Sequence, residues 1–250
     1  MTYMVNSQLI YFFTDFGTDG PYLGQMETSL LELAPNARVI NLVADAPASN
    51  PRASAYLLAA LLSELPDNAI LVCVVDPGVG SERDALLLRT GGRTLIGPDN
   101  GLLAVCAGMN PGASLFRIPH DKSALSASFH GRDLFAPMAG RVSLGGNIPL
   151  ESMDTSTMVG SAWPRVLGEV IYIDHYGNAM TGLPADHLKD TAKIKSGPHV
   201  LRRAHTFSAA RGADPFWYRN SCGLVELAVN RGRADERLDL VVGSRLDILE

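Results

Sequence analysis

Residues 69–83, AILVCVVDPGVGSER, decide the fold of the first part of the chain. The first seven of them are apolar, a composition typical of a strand that is covered on both faces of a sheet. A Gly-rich loop then begins at Asp76. In open α/β sheets, ligands collect at the carboxyl ends of the strands. The stretch therefore predicts an α/β domain with a functional loop around Asp76.

Strand-like and helix-like segments alternate on either side of this stretch. Apolar residues at helical spacing predict helices over 23–33 and 51–65, and short β-rich runs predict strands over 9–13, 38–43, 69–75, 85–89 and 94–96. Such alternation is typical of a sheet whose strands are mostly parallel. We therefore expect an α/β N-terminal domain, residues 1–150, with a mostly parallel sheet.

The composition changes after residue 150. Residues 151–164, ESMDTSTMVGSAWP, carry turn formers without strong periodicity, and we interpret them as a linker. Strands are then predicted over 168–174, 199–207, 224–230 and 238–248, and no long amphipathic helix stands out. We therefore expect a smaller all-β, barrel-like C-terminal domain, residues 165–250.

The bulk composition narrows the functional classes. A formal net charge of −5 over 250 residues argues against nucleic-acid binding, because a phosphate-binding surface needs an excess of Lys and Arg. Three cysteines without a CxxC pair are typical of thiols in a reducing compartment. The start, MTYMVNSQLI, lacks the pattern of a secretion signal, and no apolar run reaches membrane-spanning length. We expect a cytoplasmic protein with no membrane partner.

Three polar, Gly-rich loops follow predicted strands, and each carries acids. They are TDFGTDG from Thr14, DPGVGSER from Asp76 and GPDNG from Gly97. Such loops on one sheet edge converge on one pocket, which is the main indication of function in the residues themselves. Asp15 is as well explained by turn or capping chemistry as by a carboxylate that binds vicinal hydroxyls. Asp76 has Arg83 seven residues on, which permits a charge-assisted pair.

Two histidines are candidates for catalysis. His130 lies in FHGRDLFAP, a polar cluster between apolar neighbours, and His175 lies in IDHYGN. A lone His is more often structural than catalytic, but the dense cluster favours a function for His130. No metal-binding spacing, Walker loop or nucleophile elbow occurs in the sequence. In the second domain, Tyr176 can stack on a planar ring, and Asn178 and Ser221 can bond a base or an amino-acid head group.

Six ordered motifs resemble one known family. They are TDFGTDGPYLG, VVDPGVGSER, GPDNGLL, FHGRDLFAP, IDHYGN and NSCGLVELA, and together they span nearly the whole chain. In this order they look like the S-adenosyl-L-methionine (SAM) hydroxide adenosyltransferase family, which is related to the fluorinase and chlorinase enzymes. The resemblance implies an N-terminal α/β domain, a C-terminal β-barrel and a homotrimer. It also implies hydrolysis of SAM to adenosine and methionine without a metal or another cofactor.

The site residues of that family carry over motif by motif. The resemblance implies that Asp76, Arg83 and His130 form a catalytic set that activates water. It also implies that Asp15 holds the ribose hydroxyls. The remaining substrate contacts that it implies are Asp174 and Ser221 for the methionine moiety, and Tyr176 and Asn178 for adenine.

The chain also departs from the family pattern. Gly20 follows Asp19 at a position where the family usually has its second acid, and Gly182 stands where an Asn is expected. Both changes fall in segments that would hold the substrate. The water-activating set is complete, so the resemblance still predicts hydrolysis.

Three other functions remain open at this point. Halogenases of the same superfamily carry an aromatic residue in place of Asp76 and a long insertion before the loop at Pro98. The carboxylate of Asp76 beside the nucleophile would also repel a halide ion. A SAM- or nucleoside-binding protein without turnover is compatible with the altered loops. A metal-dependent hydrolase is the third. The prediction is a metal-independent SAM hydrolase.

Overall fold

The computed structural model describes residues 8–210 and 212–249. The chain divides into two compact units. The first contains the chain as far as Leu58 together with Leu65–Trp163, and the second contains Ala59–Glu64 and the chain from Pro164 onward. Most of the N-terminal stretch in which we found no secretion signal lies outside the described residues. Within 8–210 and 212–249, no helix is both long and apolar enough to cross a bilayer.

Seven strands form the sheet of the first unit. They are β1 Leu9–Thr14, β2 Arg38–Val43, β3 Ile70–Val74, β4 Ala85–Thr90, β5 Arg93–Pro98, β6 Ser114–Arg117 and β7 Glu151–Met153. Their order across the sheet is β2-β1-β3-β5-β4-β6-β7. All five residues of β3 are buried, as its uniformly apolar sequence predicts. The edge strand β7 lies at the start of the stretch that we interpreted as a linker.

The sheet of the first unit is mixed, so the expectation of a mostly parallel sheet was wrong. β1 pairs in parallel with β2 and β3, and β3 pairs in parallel with β5. The pairs β4–β5, β4–β6 and β6–β7 are antiparallel. The cause lies in the two-residue turn Gly91-Gly92, where φ is 55° and 79°. Positive φ at both central residues makes the tight turn of a β-hairpin, which reverses the chain direction.

The first unit contains the helices α1 Tyr22–Leu33, α3 Ala104–Gly108 and α4 Ala136–Ser143. The helix α2 Pro51–Leu62 begins in the first unit and ends within Ala59–Glu64, which is assigned to the second. α1 buries Met26 and Leu30, which lie four residues apart and so share one helix face. Both belong to a core cluster with strand residues such as Phe12 and Leu87. Burying each such side chain contributes about 1.5–3 kcal/mol, which fixes α1 and the loop before it on the sheet.

A second seven-stranded sheet forms most of the second unit. Its strands are β8 Leu167–Ile173, β9 Ala179–Pro184, β10 Lys193–Ser196, β11 His199–Arg203, β12 Pro215–Arg219, β13 Leu224–Val229 and β14 Asp247–Leu249. Their order is β14-β10-β11-β12-β13-β9-β8. The segment before β14 bonds back to β8 at the other end of this order, through Val170 N to Ser244 O at 2.9 Å and Leu246 N to Gly168 O at 3.0 Å. The sheet is therefore curled into a half-barrel, with Trp217 buried in its core.

The second unit differs in detail from the sequence-based expectation. The predicted strand over 238–248 is mostly turns, and a short helix, α5 Ala234–Leu238, precedes them. Leu238, Leu240 and Leu246 in this segment are all buried, so their spacing reflects packing and not strand pairing. Asp239 adopts the left-handed conformation, with φ 52°, and ends α5. The strands β9, β10 and β12 were not predicted.

The departure from the family pattern at Gly182 has a local explanation. Gly182 lies in β9 and pairs with Leu167 of β8. A Cβ atom added at Gly182 would lie 2.7 Å from Leu167 Cβ and 3.0 Å from its carbonyl oxygen. The two strands approach too closely here for any side chain, so the Asn of the family pattern does not fit beside this β8.

Candidate active site

Polar loops follow the three neighbouring parallel strands β1, β3 and β5, and two of these loops are joined directly. Asn100, in the loop after β5, donates through Nδ2 to Val75 O at 2.9 Å and to Asp76 Oδ1 at 3.5 Å. Its Oδ1 accepts from Leu102 N at 3.2 Å. Asn100 thus holds the end of β3 and orients Asp76. The sequence singled out the loop GPDNG, but it did not single out Asn100.

Asp76 and Arg83 form a buried ion pair. Arg83 Nε donates to Asp76 Oδ1 at 2.9 Å, and Nη2 donates to Oδ2. The two side chains are only 4% and 7% exposed, respectively. A bidentate pair fixes the planes of both groups, and the ring of Phe135, 5.5 Å below the Arg83 guanidinium carbon, gives it an apolar support. The pair predicted from the spacing of seven residues is therefore formed.

The loop between Asp76 and Arg83 needs glycine at one position. Gly80 has φ 81°, which a residue with a side chain rarely adopts. A Cβ atom there would also collide with the carbonyl oxygen of Ala127. The loop therefore packs directly against the segment that leads into FHGRD, and this contact brings Arg83 to His130.

His130 completes the cluster. Its Nδ1 lies 3.3 Å from Arg83 Nη2, and the residue is 4% exposed. A guanidinium has only donors, so Nδ1 accepts and the ring proton resides on Nε2. Burial, and next the positive charge of Arg83, lower the pKa of His130 below its usual value. The neutral ring thus keeps its N–H donor on Nε2, the nitrogen that does not contact Arg83.

A turn of π-helix positions His130. The turn runs over Gly131–Phe135 and continues into α4, and such turns are frequent at functional sites. A Cβ atom on Gly131 would lie 3.1 Å from Met26 Sδ and 3.2 Å from a ring atom of Phe129. Close packing against α1 therefore fixes how near the turn lies to this helix, and with it the position of the His130 ring.

Arg132 and Asp133, the other charged residues of FHGRD, hold this segment in place. Arg132 and Asp133 pair with each other, with Nε and Oδ1 2.5 Å apart. Asp133 Oδ2 also accepts from Ser126 N at 2.8 Å, and Arg132 Nη1 donates to Gln25 Oε1 at 3.0 Å. The hydrogen bond from Arg132 lowers the pKa of Asp133. These two residues tie the loop to α1, so their contribution is to position His130.

A cavity of about 180 Å³ opens beside the cluster. The rings of Phe16, Tyr22 and Phe129 pack against one another in its wall, with centroids 5.4–5.9 Å apart. Asp76 and His130 lie in the same wall. The residues that line the cavity are Phe16, Tyr22, Val74, Asp76, Val79, Ser128, Phe129, His130 and Gly131. Aromatic faces attract cations, so this wall suits a positively charged, partly apolar ligand.

Asp15 has a structural task in the same unit. Its Oδ2 accepts a hydrogen bond from Ser49 N at 2.8 Å, which joins the loops after β1 and β2. It does not belong to the residues that line the cavity beside Asp76. This bond joins residues 34 positions apart, so it differs from the local turn or capping bond considered from the sequence. Binding of ribose hydroxyls by Asp15 stays a prediction.

In the second unit, Asp174 and Asn178 close one tight turn. Asp174 Oδ1 accepts from Asn178 N at 2.8 Å and Oδ2 accepts from Asn178 Nδ2 at 2.9 Å. Arg233 Nη1 donates to His175 O at 2.9 Å and ties this turn to the residues before α5. Tyr176, on the same turn, is 73% exposed. The turn therefore presents a ring and two polar side chains together.

These residues border a cavity of about 700 Å³ within the second unit. Asp174, Tyr176 and Asn178 all line it, whereas Ser221 does not. The full lining is Asp174, His175, Tyr176, Asn178, Phe207, Tyr218, Val229, Arg231, Gly232 and Arg233. Three of the four substrate contacts that the resemblance places in this domain are thus brought together.

Ser221 is joined to that cavity indirectly. The buried Glu226 accepts from Tyr218 OH, which lines the cavity, and from Asn220 Nδ2 at 2.8 Å. Asn220 Oδ1 in turn accepts from Cys222 N at 3.0 Å, which shapes the turn that carries Ser221. Burial raises the pKa of Glu226, and the two hydrogen bonds oppose that shift. Sequence reasoning missed Glu226, although it lies in the motif NSCGLVELA.

Across 8–210 and 212–249, no three His, Cys, Asp or Glu side chains are grouped as metal ligands. The described cluster around Asp76 instead contains one acid, one guanidinium and one neutral imidazole. Such a set can hold a water molecule and stabilise developing negative charge on its oxygen.

Comparison with known protein families identifies both parts of the chain. Residues 10–153 match the model of the SAM hydroxide adenosyltransferase N-terminal domain. Residues 168–247 match that of the SAM hydroxide adenosyltransferase C-terminal domain. The two matches cover most of the chain and confirm the resemblance that the six motifs indicated.

Curated relatives and solved structures agree with this assignment. Proteins named (R)-S-adenosyl-L-methionine hydrolase from Thermus thermophilus and Salinispora arenicola are each 35% identical, over 96% and 98% of this chain and 99% of theirs. The structure of an uncharacterised conserved protein from Thermotoga maritima has a TM-score of 0.86 at 26% identity, over 96% of this chain and 100% of that one. The structure of a conserved hypothetical protein from Thermus thermophilus has a TM-score of 0.78 at 32% identity, over 97% and 100%.

Proposed function

Because the chain belongs to the SAM hydroxide adenosyltransferase family, we propose that it hydrolyses (R)-S-adenosyl-L-methionine to adenosine and L-methionine. The observation that carries this proposal is the buried contact of Asp76, Arg83 and His130 at the wall of an aromatic cavity. The (R) configuration at sulfur is taken from the names of the relatives.

The reaction is a substitution at the ribose C5′ atom. The oxygen of water forms a bond to C5′ while the C5′–S bond breaks, and its electron pair passes to sulfur. The leaving group is a neutral thioether, so it needs no acid. Catalysis then rests on holding the water in line with the C–S bond and on stabilising the charge that moves.

The aromatic wall suits the charge of the substrate. A sulfonium is a cation with apolar substituents, and Phe16, Tyr22 and Phe129 present a cluster of ring faces and edges beside the reacting groups. These rings also keep bulk water away from C5′. The attacking water therefore binds on the polar side of the cavity, where Asp76 and His130 lie.

The three polar residues have separate tasks in this proposal. His130 donates a hydrogen bond from Nε2–H to the oxygen of the attacking water. This bond orients a lone pair of the water towards C5′. Arg83 fixes Asp76 and His130 and favours negative charge on that oxygen. Asp76 holds Arg83 and one hydrogen of the water.

Substrate binding uses the remaining residues of the motifs. Asp15 is proposed to hold the ribose hydroxyls, Asp174 and Ser221 the methionine moiety, and Tyr176 and Asn178 the adenine ring. No metal or other cofactor is needed, because the leaving group departs without Lewis-acid help. As the resemblance implies, we expect a cytoplasmic homotrimer. Light scattering should then give a molecular mass three times that of the 26.7 kDa chain.

The test is product formation by chelator-treated protein. Purified protein is incubated with separated (R) and (S) epimers of SAM in water enriched in oxygen-18, and the products are identified by mass spectrometry. The expected products are methionine and adenosine that carries the heavy oxygen at its 5′ position. Arg83→Ala and His130→Ala should reduce turnover about 10²–10⁴-fold. Arg245→Ala, at a side chain that is 88% exposed, serves as a control.

Other outcomes would identify other functions. Bound substrate without product would indicate a binding protein. A halogenated nucleoside formed only with halide would indicate a halogenase, and activity restored only by added metal would indicate a metal-dependent hydrolase. Unchanged turnover in both Arg83→Ala and His130→Ala would remove these residues from the mechanism.

A further inference from the structure

Hydrolysis of a sulfonium releases one proton, and the site must pass it on. This inference rests on the proposed function and concerns the group that receives that proton. When water attacks C5′, the new C–O bond carries an oxonium proton, and the C–S electron pair stays on the thioether. The thioether is a very weak base, so the proton has to leave through a side chain.

His130 is poorly arranged to receive the proton. Its Nδ1 accepts from the Arg83 guanidinium, and its Nε2 therefore already carries a hydrogen. Taking a second proton would place an imidazolium against Arg83, 3.3 Å away. The nearby positive charge and the burial of the ring both disfavour that form. His130 is thus a donor in this geometry.

The oxygens of Asp76 are already in use. Arg83 donates to both of them, and Asn100 approaches Oδ1 at 3.5 Å. A proton placed on Asp76 would have to displace part of this bidentate contact. The ion pair keeps its geometry through the reaction only if the proton goes elsewhere.

A second imidazole, His120, has the required lone pair. Its Nδ1 lies 2.9 Å from the carbonyl oxygen of Ile118. A carbonyl only accepts, so Nδ1 carries the ring hydrogen and Nε2 is left as an acceptor. Nε2 is buried and has no hydrogen-bond partner among the described residues. A buried polar atom of this kind usually bonds to an ordered water.

His120 lies beside the catalytic cluster. Its ring centroid is 6.4 Å from that of His130, and the ring planes are inclined by 67°. The antiparallel ladder β4–β6 pairs Leu86 with Arg117, and Ile118 N continues it to Ala85 O at 2.8 Å. His120 lies two residues after Ile118, and Arg83 lies two residues before Ala85. Sequence reasoning gave no role to His120, because it lies in no motif.

We propose that Nε2 of His120 accepts the proton released in hydrolysis, through an ordered water between the two imidazole rings. The attacking water gives its proton to this bridging water, which gives one of its own to His120. His120 becomes an imidazolium, held at Nδ1 by the Ile118 carbonyl, and then loses a proton to solvent. The cluster of Asp76, Arg83 and His130 returns unchanged.

The charged groups around His130 act on its protonation. Arg83, Asp76 and Asp133 face this ring together with His120. Turnover requires a neutral His130, because its Nδ1 must accept from Arg83. We therefore expect kcat to fall when the pH drops below the lowered pKa of His130.

The direct test replaces His120 with Asn, whose amide can still donate to the Ile118 carbonyl but has no basic nitrogen. We expect kcat to fall about 10²-fold or more with KM unchanged. The same substitution at the exposed His187 is the matched control and should change neither. Thermal unfolding of both variants establishes that they are folded.

A second variant guards against a purely structural effect. His120→Ala leaves room for a small base, so added imidazole should restore turnover in proportion to its unprotonated form. An unchanged kcat in His120→Asn would overturn the proposal, as would a failure of imidazole to rescue His120→Ala. If the wild-type protein forms no adenosine from either SAM epimer, the proposed function itself is wrong. If the wild type is active and the His120 variants are unaffected, only the assignment of His120 as proton acceptor is wrong.

Discussion

Arg83 organises the site at the scale of single residues. One guanidinium holds both oxygens of Asp76, approaches Nδ1 of His130 and rests on the ring of Phe135. Because it has no acceptor, it dictates the direction of every hydrogen bond that it makes. Lysine would supply the charge without the fork, so it would hold one partner at a time.

The lowered pKa of His130 makes the stability of the fold depend on pH. The ordinary value of 6.5 applies to the unfolded chain, and the folded value lies below it. Between these two values the unfolded state binds a proton that the folded state does not. Stability should therefore fall as the pH drops from 6.5 towards the folded pKa, and this contribution should level off below that pKa.

Urea unfolding at a series of pH values would measure this effect. His130→Gln, which does not titrate, should lose less stability than the wild type on the acid side of 6.5. His187→Gln, at an exposed position, should follow the wild type. Parallel curves for wild type and His130→Gln would mean that burial and Arg83 do not disfavour the charged ring.

The candidate residues were predictable to different extents. Asp76, Arg83 and His130 stand in dense polar motifs, and the structure places them in contact; their catalytic roles stay predictions. Asn100 bonds to Val75 and Asp76, which are distant in sequence, and His120 lies in no motif, so no local pattern singled out either residue. Glu226 resembles an ordinary exposed acid in the sequence, and only its burial between Tyr218 and Asn220 distinguishes it.

At the scale of elements, the sequence predicted local patterns well and pairings poorly. β3 was recognised because a short, uniformly apolar run between turn formers is typical of a strand covered on both faces. The direction of β4 relative to β5 depends on the Gly91-Gly92 turn, which the alternation of helices and strands obscured. The short strands of the second unit are fixed by neighbours far along the chain, so they carry weak local signals.

Gly182 offers a test of strand packing. Gly182→Asn would restore the residue of the family pattern, but its Cβ would meet Leu167 at 2.7 Å. We expect a loss of about 1–3 kcal/mol in the free energy of unfolding, because β8 and β9 must separate. Gly24→Ala, in α1 with nothing within 4 Å of the new Cβ, is the control and should stabilise the protein slightly. Equal stability of Gly182→Asn and wild type would show that β8 can move without cost.

At the scale of the whole molecule, each of the two units has a large hydrophobic cluster. Leu87 belongs to the core of the first unit, and Leu227 belongs to that of the second. Both side chains are fully buried. The family identity was accessible from sequence because its six motifs lie in both units, whereas the bounds of the two units follow only from the packing.

Leucine truncations should therefore act locally. Leu87→Ala and Leu227→Ala should each cost about 2–5 kcal/mol, the usual range for a buried leucine. Hydrogen exchange followed by mass spectrometry should show faster exchange in peptides of the mutated unit. Equal acceleration in both units for either variant would mean that they unfold as one cooperative body.

The π-turn before α4 makes the position of His130 depend on the number of residues in the turn, and not only on their identity. A π-helix arises when a helix holds one residue more than its regular turn. Deleting one residue within Gly131–Phe135 would let the segment relax into a regular α-helix. Each residue of such a helix turns the chain by about 100°, so His130 would rotate away from Arg83. In evolution, a single-codon deletion here would therefore break the contact between Arg83 and His130 without changing either residue.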